Sequence, residues 1–285
     1  MNGASPVRQW LCDAARRIDD ALGPARVARI VLPPLAENPG REGEFCAVQL
    51  DDGSVGLAFA LLDGALAALH GRGPGAGREG CAALDLVRGF AEGDNAARVL
   101  GLATINALAR RLYDRAGFVA DNAVDSFGAL ALAPGDRLGM VGHFTPLIAQ
   151  ARTMGIPVTV LELKAHLVRE EDGFVVTLDA NRLAGCNKIV STSTLLLNDT
   201  FEKVAAFWRG ADAVAIVGPS AGCPPDPLFA AGVSAVGAAW AVDAEALLAR
   251  CAAGAPWGDA SRKVTLVPGR YPGLDVLIAR AGRPQ

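Results

Sequence analysis

Residues 133–146 read Ala133-Pro134-Gly135-Asp136-Arg137-Leu138-Gly139-Met140-Val141-Gly142-His143-Phe144-Thr145-Pro146, and this stretch decides the fold. A Pro-Gly-Asp turn feeds a short apolar run, and a glycine then hands the chain to a helix start with proline in its first turn. A continuous apolar run bounded in this way is a strand buried on both faces, as in a parallel sheet covered by helices. Comparable runs follow at 156–161, 188–190, 213–217 and 233–236, separated by stretches long enough for crossover helices. One such helix is marked by Asp199 and Glu202 at capping-box spacing, with Phe201, Val204, Ala205 and Trp208 on one face. The second half of the chain is therefore expected to be a doubly wound, Rossmann-like parallel-sheet domain.

Upstream of the turn the pattern differs. Ser5 and Pro6 open a helix whose apolar positions Leu11, Ala14, Ala15, Ile18 and Leu22 recur at helical spacing until Gly23-Pro24. A β-rich stretch at 27–32 ends at Pro33-Pro34, and runs at 45–50 and 55–60 flank Asp51-Asp52-Gly53-Ser54, a hairpin signature. A Gly/Pro-rich loop at 71–77 then precedes two helical runs, the second at 95–116 closing at Gly117. Strands grouped together with helices after them make a small α+β unit. The expected division is 1–134 for this unit and 135–285 for the α/β domain.

Composition narrows the function classes. The 285 residues are 51% hydrophobic and 20% charged, ample for a core and unlike a disordered chain. Lys and Arg total 27 against 30 Asp and Glu, a net charge of −3, so no positive excess is available to track nucleic-acid phosphates. The first residues lack a cationic segment followed by an apolar one, so no signal peptide is expected. Mean hydropathy is +0.28, yet the longest apolar candidate, 228–242, falls short of the ~20 residues a span needs. A cytoplasmic protein without a membrane partner is expected.

Chemistry is sought in the loops at strand carboxyl ends, where open α/β sheets bind ligands. The first loop holds Gly142, His143 and Phe144 ahead of a helix start, where backbone N–H groups face an anion or where Gly142 merely relieves a tight turn. Glu162 closes the next strand about 20 residues on, the place of a ribose-binding acid in nucleotide folds or of a solvated strand-end carboxylate. The third loop begins with Ser191-Thr192-Ser193-Thr194, consecutive hydroxyls that suit a phosphate or carboxylate, while Asn198, Asp199 and Thr200 read as caps. The fourth, from Gly218-Pro219-Ser220 to Pro227, is a rigid Pro-rich wall carrying Cys223, read as a buried thiol before a metal ligand or nucleophile. Asn106 lies inside the long helix, a poor helical position unless it satisfies buried backbone or faces a cleft. The six cysteines are scattered without a C-x-x-C pair, and the three histidines lack H-x-x-x-H spacing, so no preformed zinc site is written.

Taken together, the 101–107 segment, the Gly139-to-Pro146 loop, Glu162, the Ser193-Thr194-Leu195…Asn198-Asp199-Thr200 run and Gly218-Pro219-Ser220 with Pro225-Asp226-Pro227 occur in an order that resembles an uncharacterised prokaryotic family labelled "putative heavy-metal chelation domain". The resemblance implies an enolase N-terminal-like domain followed by a Rossmann-like domain, with a cleft between them. It implies ligand-binding residues Asn106, Gly142, His143, Phe144, Glu162, Ser193, Thr194, Asn198, Pro219 and Ser220. It also implies a role in metal homeostasis, with a metal ion or a metal–chelator complex as cofactor. One departure stands out: the family usually has a Thr-Gly pair where this chain reads Ser191-Thr192-Ser193.

The expected function is a cytosolic heavy-metal chelation or homeostasis protein that binds a small anionic ligand or a metal–chelator complex in an interdomain cleft. A free metal fits less well because clustered soft ligands are absent, with His143 and Cys223 the sole metal candidates. One alternative is an enzyme that makes or modifies a small-molecule chelator, with Glu162 or His143 as acid–base. Another is a nucleotide-binding module. The partner is a small molecule, and a homo-oligomer is left open, as is turnover.

Overall fold

The protein is described by a computed structural model that covers residues 5–35, 44–120 and 126–282. Ser5 caps α1 (Pro6–Leu22), accepting the Arg8 N–H at 3.3 Å, and the helix buries Leu11, Ala15 and Ile18. The strands β1 (Val27–Val31), β2 (Phe45–Leu50) and β3 (Val55–Phe59) form an antiparallel sheet in sequence order. Its β2–β3 turn places Gly53 at φ +89°, the conformation for which glycine is required. Helices α2 (Ala65–Gly71), α3 (Ala83–Glu92) and α4 (Asn95–Arg115) follow.

Helix α4 has apolar residues all round, the mark of a helix covered on every side. It packs on α1 and α3 and on β2 and β3, and Leu102, Ile105 and Leu108 are fully buried. A Cβ at Gly101 would stand 2.6 Å from the Phe90 Cβ, so the glycine is what lets α3 and α4 approach this closely.

The remaining elements are β4 (Leu138–Val141), α5 (Thr145–Thr153), β5 (Val158–Leu161), β6 (Arg169–Glu171), β7 (Phe174–Thr177), β8 (Lys188–Thr192), α6 (Phe201–Ala205), β9 (Ala213–Val217), α7 (Asp226–Ala230), β10 (Ala235–Ala241), α8 (Ala244–Ala253), β11 (Ser261–Leu266) and α9 (Leu274–Ala281). They build an eight-stranded sheet in the order β11-β10-β9-β8-β4-β5-β7-β6. Strands β10 through β7 run parallel, and β11 and β6 are antiparallel edges. The α/β class, a small antiparallel sheet ahead of a larger, mostly parallel one, is the class expected from the sequence.

One face of the large sheet packs Ile189, Val214 and Val236 into the same core as Leu11, Leu100 and Ile105 of α1 and α4. The other face buries Met140, Val158, Val160 and Phe174 under Ile148 of α5. The outer face of the small sheet, Ala47, Val55 and Leu57, packs on Leu247, Leu248 and Cys251 of α8. Among the described residues, no helix is long and apolar enough to cross a membrane.

Two expectations are corrected here. The last crossover strand starts at Ala235 and runs to Ala241, and strands β6, β7 and β11 were not anticipated. Both β6 and β11 are edge strands whose charged residues (Arg169-Glu170-Glu171, Arg262-Lys263) interrupt any apolar run, as edge strands commonly do. The capping box is also absent. Helix α6 ends at Ala205, its cap position is Thr200, and no side chain caps it. Asp199 instead pairs with Arg8 and Arg98, and Glu202 Oε1 accepts the Val7 N–H at 3.0 Å. A buried guanidinium needs a carboxylate more than the start of a five-residue helix needs a cap, and that long-range demand wins.

Candidate functional site

Strand β4 lies between β5 and β8, so the chain leaves β4 toward one side of the sheet and later returns on the other. The connections after β4 and β8 therefore leave for opposite faces of the sheet, the topological switch point at which open α/β sheets place ligands. Gly142 directly follows β4 with φ +88° and donates its N–H to Leu161 O at 2.9 Å. A Cβ there would lie 3.3 Å from Thr192 Cγ2, so the β4 and β8 loops meet at this residue. His143 is half-buried; its Nδ1 is 3.5 Å from Thr145 Oγ1, and its Nε2 is buried with no hydrogen-bond partner. Phe144 occupies the cap position of α5 and supplies no side-chain cap, and with Pro146 in the first turn the N–H groups there belong to Thr145 and Leu147.

On the β5 side, Glu162 is half-buried, and Oε1 accepts the N–H of its own neighbour, Leu163, at 2.8 Å. On the β8 side, Thr192 Oγ1 lies 3.0 Å from Thr194 Oγ1 and accepts the Thr194 N–H at 3.3 Å, while Ser191 and Ser193 are buried. Asn198 Oδ1 accepts the Thr200 hydroxyl at 2.6 Å, so this asparagine holds its own loop. Gly218 follows β9 at φ +143°, and a Cβ there would collide with the Ser193 hydroxyl. Pro219 and Ser220 begin the next turn. Ser220 is buried, and its Oγ accepts the Phe59 N–H at 2.9 Å from the small sheet.

Asn106 completes the row from α4. Its Nδ2 donates to Leu57 O at 2.7 Å and to Ser220 O at 2.9 Å, and its Oδ1 is buried without a partner. The side chain satisfies buried backbone, the first of the two roles that its position in the helix interior raised, and it ties β3 to the turn that follows β9. Glu162, Gly142, Thr192, Ser193 and Ser220 thus follow the strand order β5, β4, β8, β9 at the carboxyl ends of the large sheet, and Asn106 of α4 joins the last of them to β3.

Cys223 stands apart. It is fully buried, and burial pushes its thiol up to about 12, so it presents no thiolate to solvent near neutral pH. Among the described residues, no group of three or more His, Cys, Asp or Glu side chains is placed to hold a metal ion. The donors present do not fit a directly ligated heavy metal: Cys223 is sealed and protonated, and Glu162 is folded onto its own backbone. A cavity of about 280 Å³ lies between Phe118, Thr265 and Tyr271, and another of about 390 Å³ lies beside Leu35, Leu61 and Leu66; no candidate residue lines either.

The sequence reading passed over one cluster. Arg8 of α1, Arg98 of α4 and Asp199 converge at the end of the β8 loop. The available signal was Arg8 itself, a charged residue one turn before Leu11 on the apolar stripe of α1, where a cation must find a partner.

Comparison with known proteins bears on this arrangement. The DUF364 family model, described as "Putative heavy-metal chelation", matches residues 125–268, and the DUF4213 model, with the same description, matches residues 43–109. The chain belongs to the DUF364 family. Among solved structures, a DUF364 protein of unknown function from Pyrococcus horikoshii superposes with a TM-score of 0.66 at 16% identity, covering 90% of this chain and 99% of that one. A DUF364 protein of unknown function from Desulfitobacterium hafniense DCB-2 gives a TM-score of 0.64 at 18% identity, covering 91% and 99%. At these identities the likeness establishes the shared DUF364 fold alone. No curated protein matches the chain.

Proposed function

We propose that this chain binds a small anionic ligand at the carboxyl ends of β4 and β8, and that the ligand is a metal–chelator complex bringing its own donor atoms. The family description supplies the metal, and the chemistry of the switch point decides how it is held. The observation that carries the reading is the meeting of Gly142 with Thr192 at the strand switch point, followed directly by His143, whose Nε2 is buried and unpartnered, and by the start of α5. Backbone N–H groups and hydroxyls suit oxyanions and are poor ligands for a soft metal, so the metal arrives already chelated. Gly142, His143, Phe144, Glu162, Ser193 and Thr194 are assigned to the ligand. Asn106, Asn198, Pro219 and Ser220 hold the loops that shape its site. Division of the chain at 134/135, with the site between the two parts, belongs to the same proposal.

Native mass spectrometry of freshly purified protein tests this. The wild type is expected to carry an added mass with a metal isotope pattern that chelator treatment removes. A His143→Gln/Thr194→Val double variant is expected to purify without it. An added mass retained by the folded double variant places the ligand elsewhere and sinks the assignment.

A further inference from the structure

The charge cluster at the end of the β8 loop has more cation than its carboxylate can satisfy. Arg8 is 2% exposed; its guanidinium lies 5.3 Å from the centre of the Phe90 ring, and Nη2 donates to Leu197 O at 3.4 Å. Asp199 forms an ion pair with Arg8 through Oδ1 and with Arg98 through Oδ2, the latter at 3.4 Å. Two guanidinium groups thus share one carboxylate, and Nε of each is buried with no hydrogen-bond partner. The neighbouring acid, Glu202, is occupied by the Val7 N–H. Buried charged donors without acceptors are costly, and a planar guanidinium fork is built to take an oxyanion with two donors at once.

Asp199 itself is poorly settled. Its backbone lies at φ +58°, left-handed for a residue with a Cβ, and its side chain is 37% exposed, while Oδ1, the oxygen turned to Arg8, is buried and makes no hydrogen bond beyond that ion pair. The Asn198 N–H returns to Thr194 O at 3.3 Å, which sets the cluster one turn from the hydroxyls of the β8 loop.

We propose that Arg8 and Arg98 form an oxyanion subsite in which the Asp199 carboxylate is a resident stand-in, displaced when a carboxylate or phosphate of the ligand arrives. The proposal rests on the reading of the chain as a binder of a small anionic ligand, and it names where the charge is held. Displacement frees Asp199 from its strained backbone and gives the idle Nε donors an acceptor. The incoming group enters from the exposed side of Asp199, with no cavity required beforehand.

The test is an Asp199→Gly variant, which keeps the left-handed backbone without strain and removes the stand-in. Binding of inorganic phosphate and of succinate is followed by thermal shift, with chloride at matched ionic strength as the control for screening. D199G is expected to bind at least one of these probes about tenfold more tightly than wild type, and addition of Arg98→Gln is expected to abolish the gain. Whichever probe gains affinity distinguishes phosphate from carboxylate recognition. Equal responses of D199G and wild type to both probes overturn the proposal, as does a gain that survives R98Q. Should D199G fail to fold, R98Q alone in the otherwise native chain is read: about tenfold weaker binding supports the subsite, and unchanged binding overturns it. If the subsite fails while the His143/Thr194 variant still loses its ligand, the broader reading stands with the charge held elsewhere. If D199G gains affinity while that variant keeps its ligand, the subsite stands and the switch-point assignment falls.

Discussion

Asn106 shows how much one side chain carries here. It is 3% exposed and gives both amide hydrogens to distant carbonyls, Leu57 O on β3 and Ser220 O in the turn after β9. Replacing it with Leu, close in volume, leaves two buried carbonyls unpaired, and each costs roughly 1–3 kcal/mol. Asn106→Leu is accordingly expected to lose about 2–5 kcal/mol of stability, measured as a lower urea midpoint at unchanged slope. A loss below about 0.5 kcal/mol would mean that the bridge is dispensable. Asp in its place would set an acceptor against two acceptors and is expected to be worse than Leu. Sequence alone revealed that Asn106 was out of place in a helix. The partners were invisible to it because they lie 49 and 114 residues away.

At the scale of elements, the start of α4 ties helix stability to pH. Asp94 caps this helix, accepting the Ala97 N–H at 2.8 Å and the Arg72 guanidinium at 2.8 Å. The Ala97 N–H, with the charge of Arg72, holds its carboxyl below the usual 3.8. A folded-state pKa below the unfolded one means that the stabilisation is present in full above the unfolded value and is lost as pH falls through the folded one. Asp94→Ala is expected to cost about 1 kcal/mol near neutrality, as a lost cap does, and the gap to wild type is expected to close in acid below the lowered pKa. Parallel urea titrations of the two proteins across that range check it, and a gap independent of pH would sink it. The same scale explains what was legible. Helices α1 and α4, the β2–β3 hairpin and the central strands were readable because caps, glycine turns and apolar runs are local signals. Edge strands β6 and β11 were not, since their residues answer to solvent and to one neighbour. The Asp199–Glu202 spacing misled because both acids serve α1, nearly two hundred residues away. In the candidate site the glycines and hydroxyls were legible as unusual residues at strand ends, whereas Arg8 and Arg98 enter it through tertiary packing alone.

Across the whole molecule, the two sheets are joined more closely than a division at 134/135 would suggest. A single core runs from Leu11 and Ile18 of α1 through Leu100 and Ile105 of α4 to Trp208, Val236 and Leu277 in the second half. Helix α9, the last of the described elements, packs on α1 and α4, so elements far apart in sequence share one core. A unit of 1–134 standing alone would expose the side of α4 that meets α9 and would leave Asn106 without Ser220. Burial on this scale couples the parts, so unfolding is expected to be one cooperative transition. Tryptophan fluorescence weighs the second half, where Trp208, Trp240 and Trp257 are buried, and far-UV circular dichroism weighs the helices of the first. Ile105→Ala, at a fully buried position of α4, is expected to cost about 2–5 kcal/mol and to shift both signals by the same amount. Two separated transitions, with the variant moving the circular dichroism step alone, would show instead that the α+β unit melts on its own. Coincidence would mean that the shared core fixes the relative placement of the β3, β8 and β9 loops.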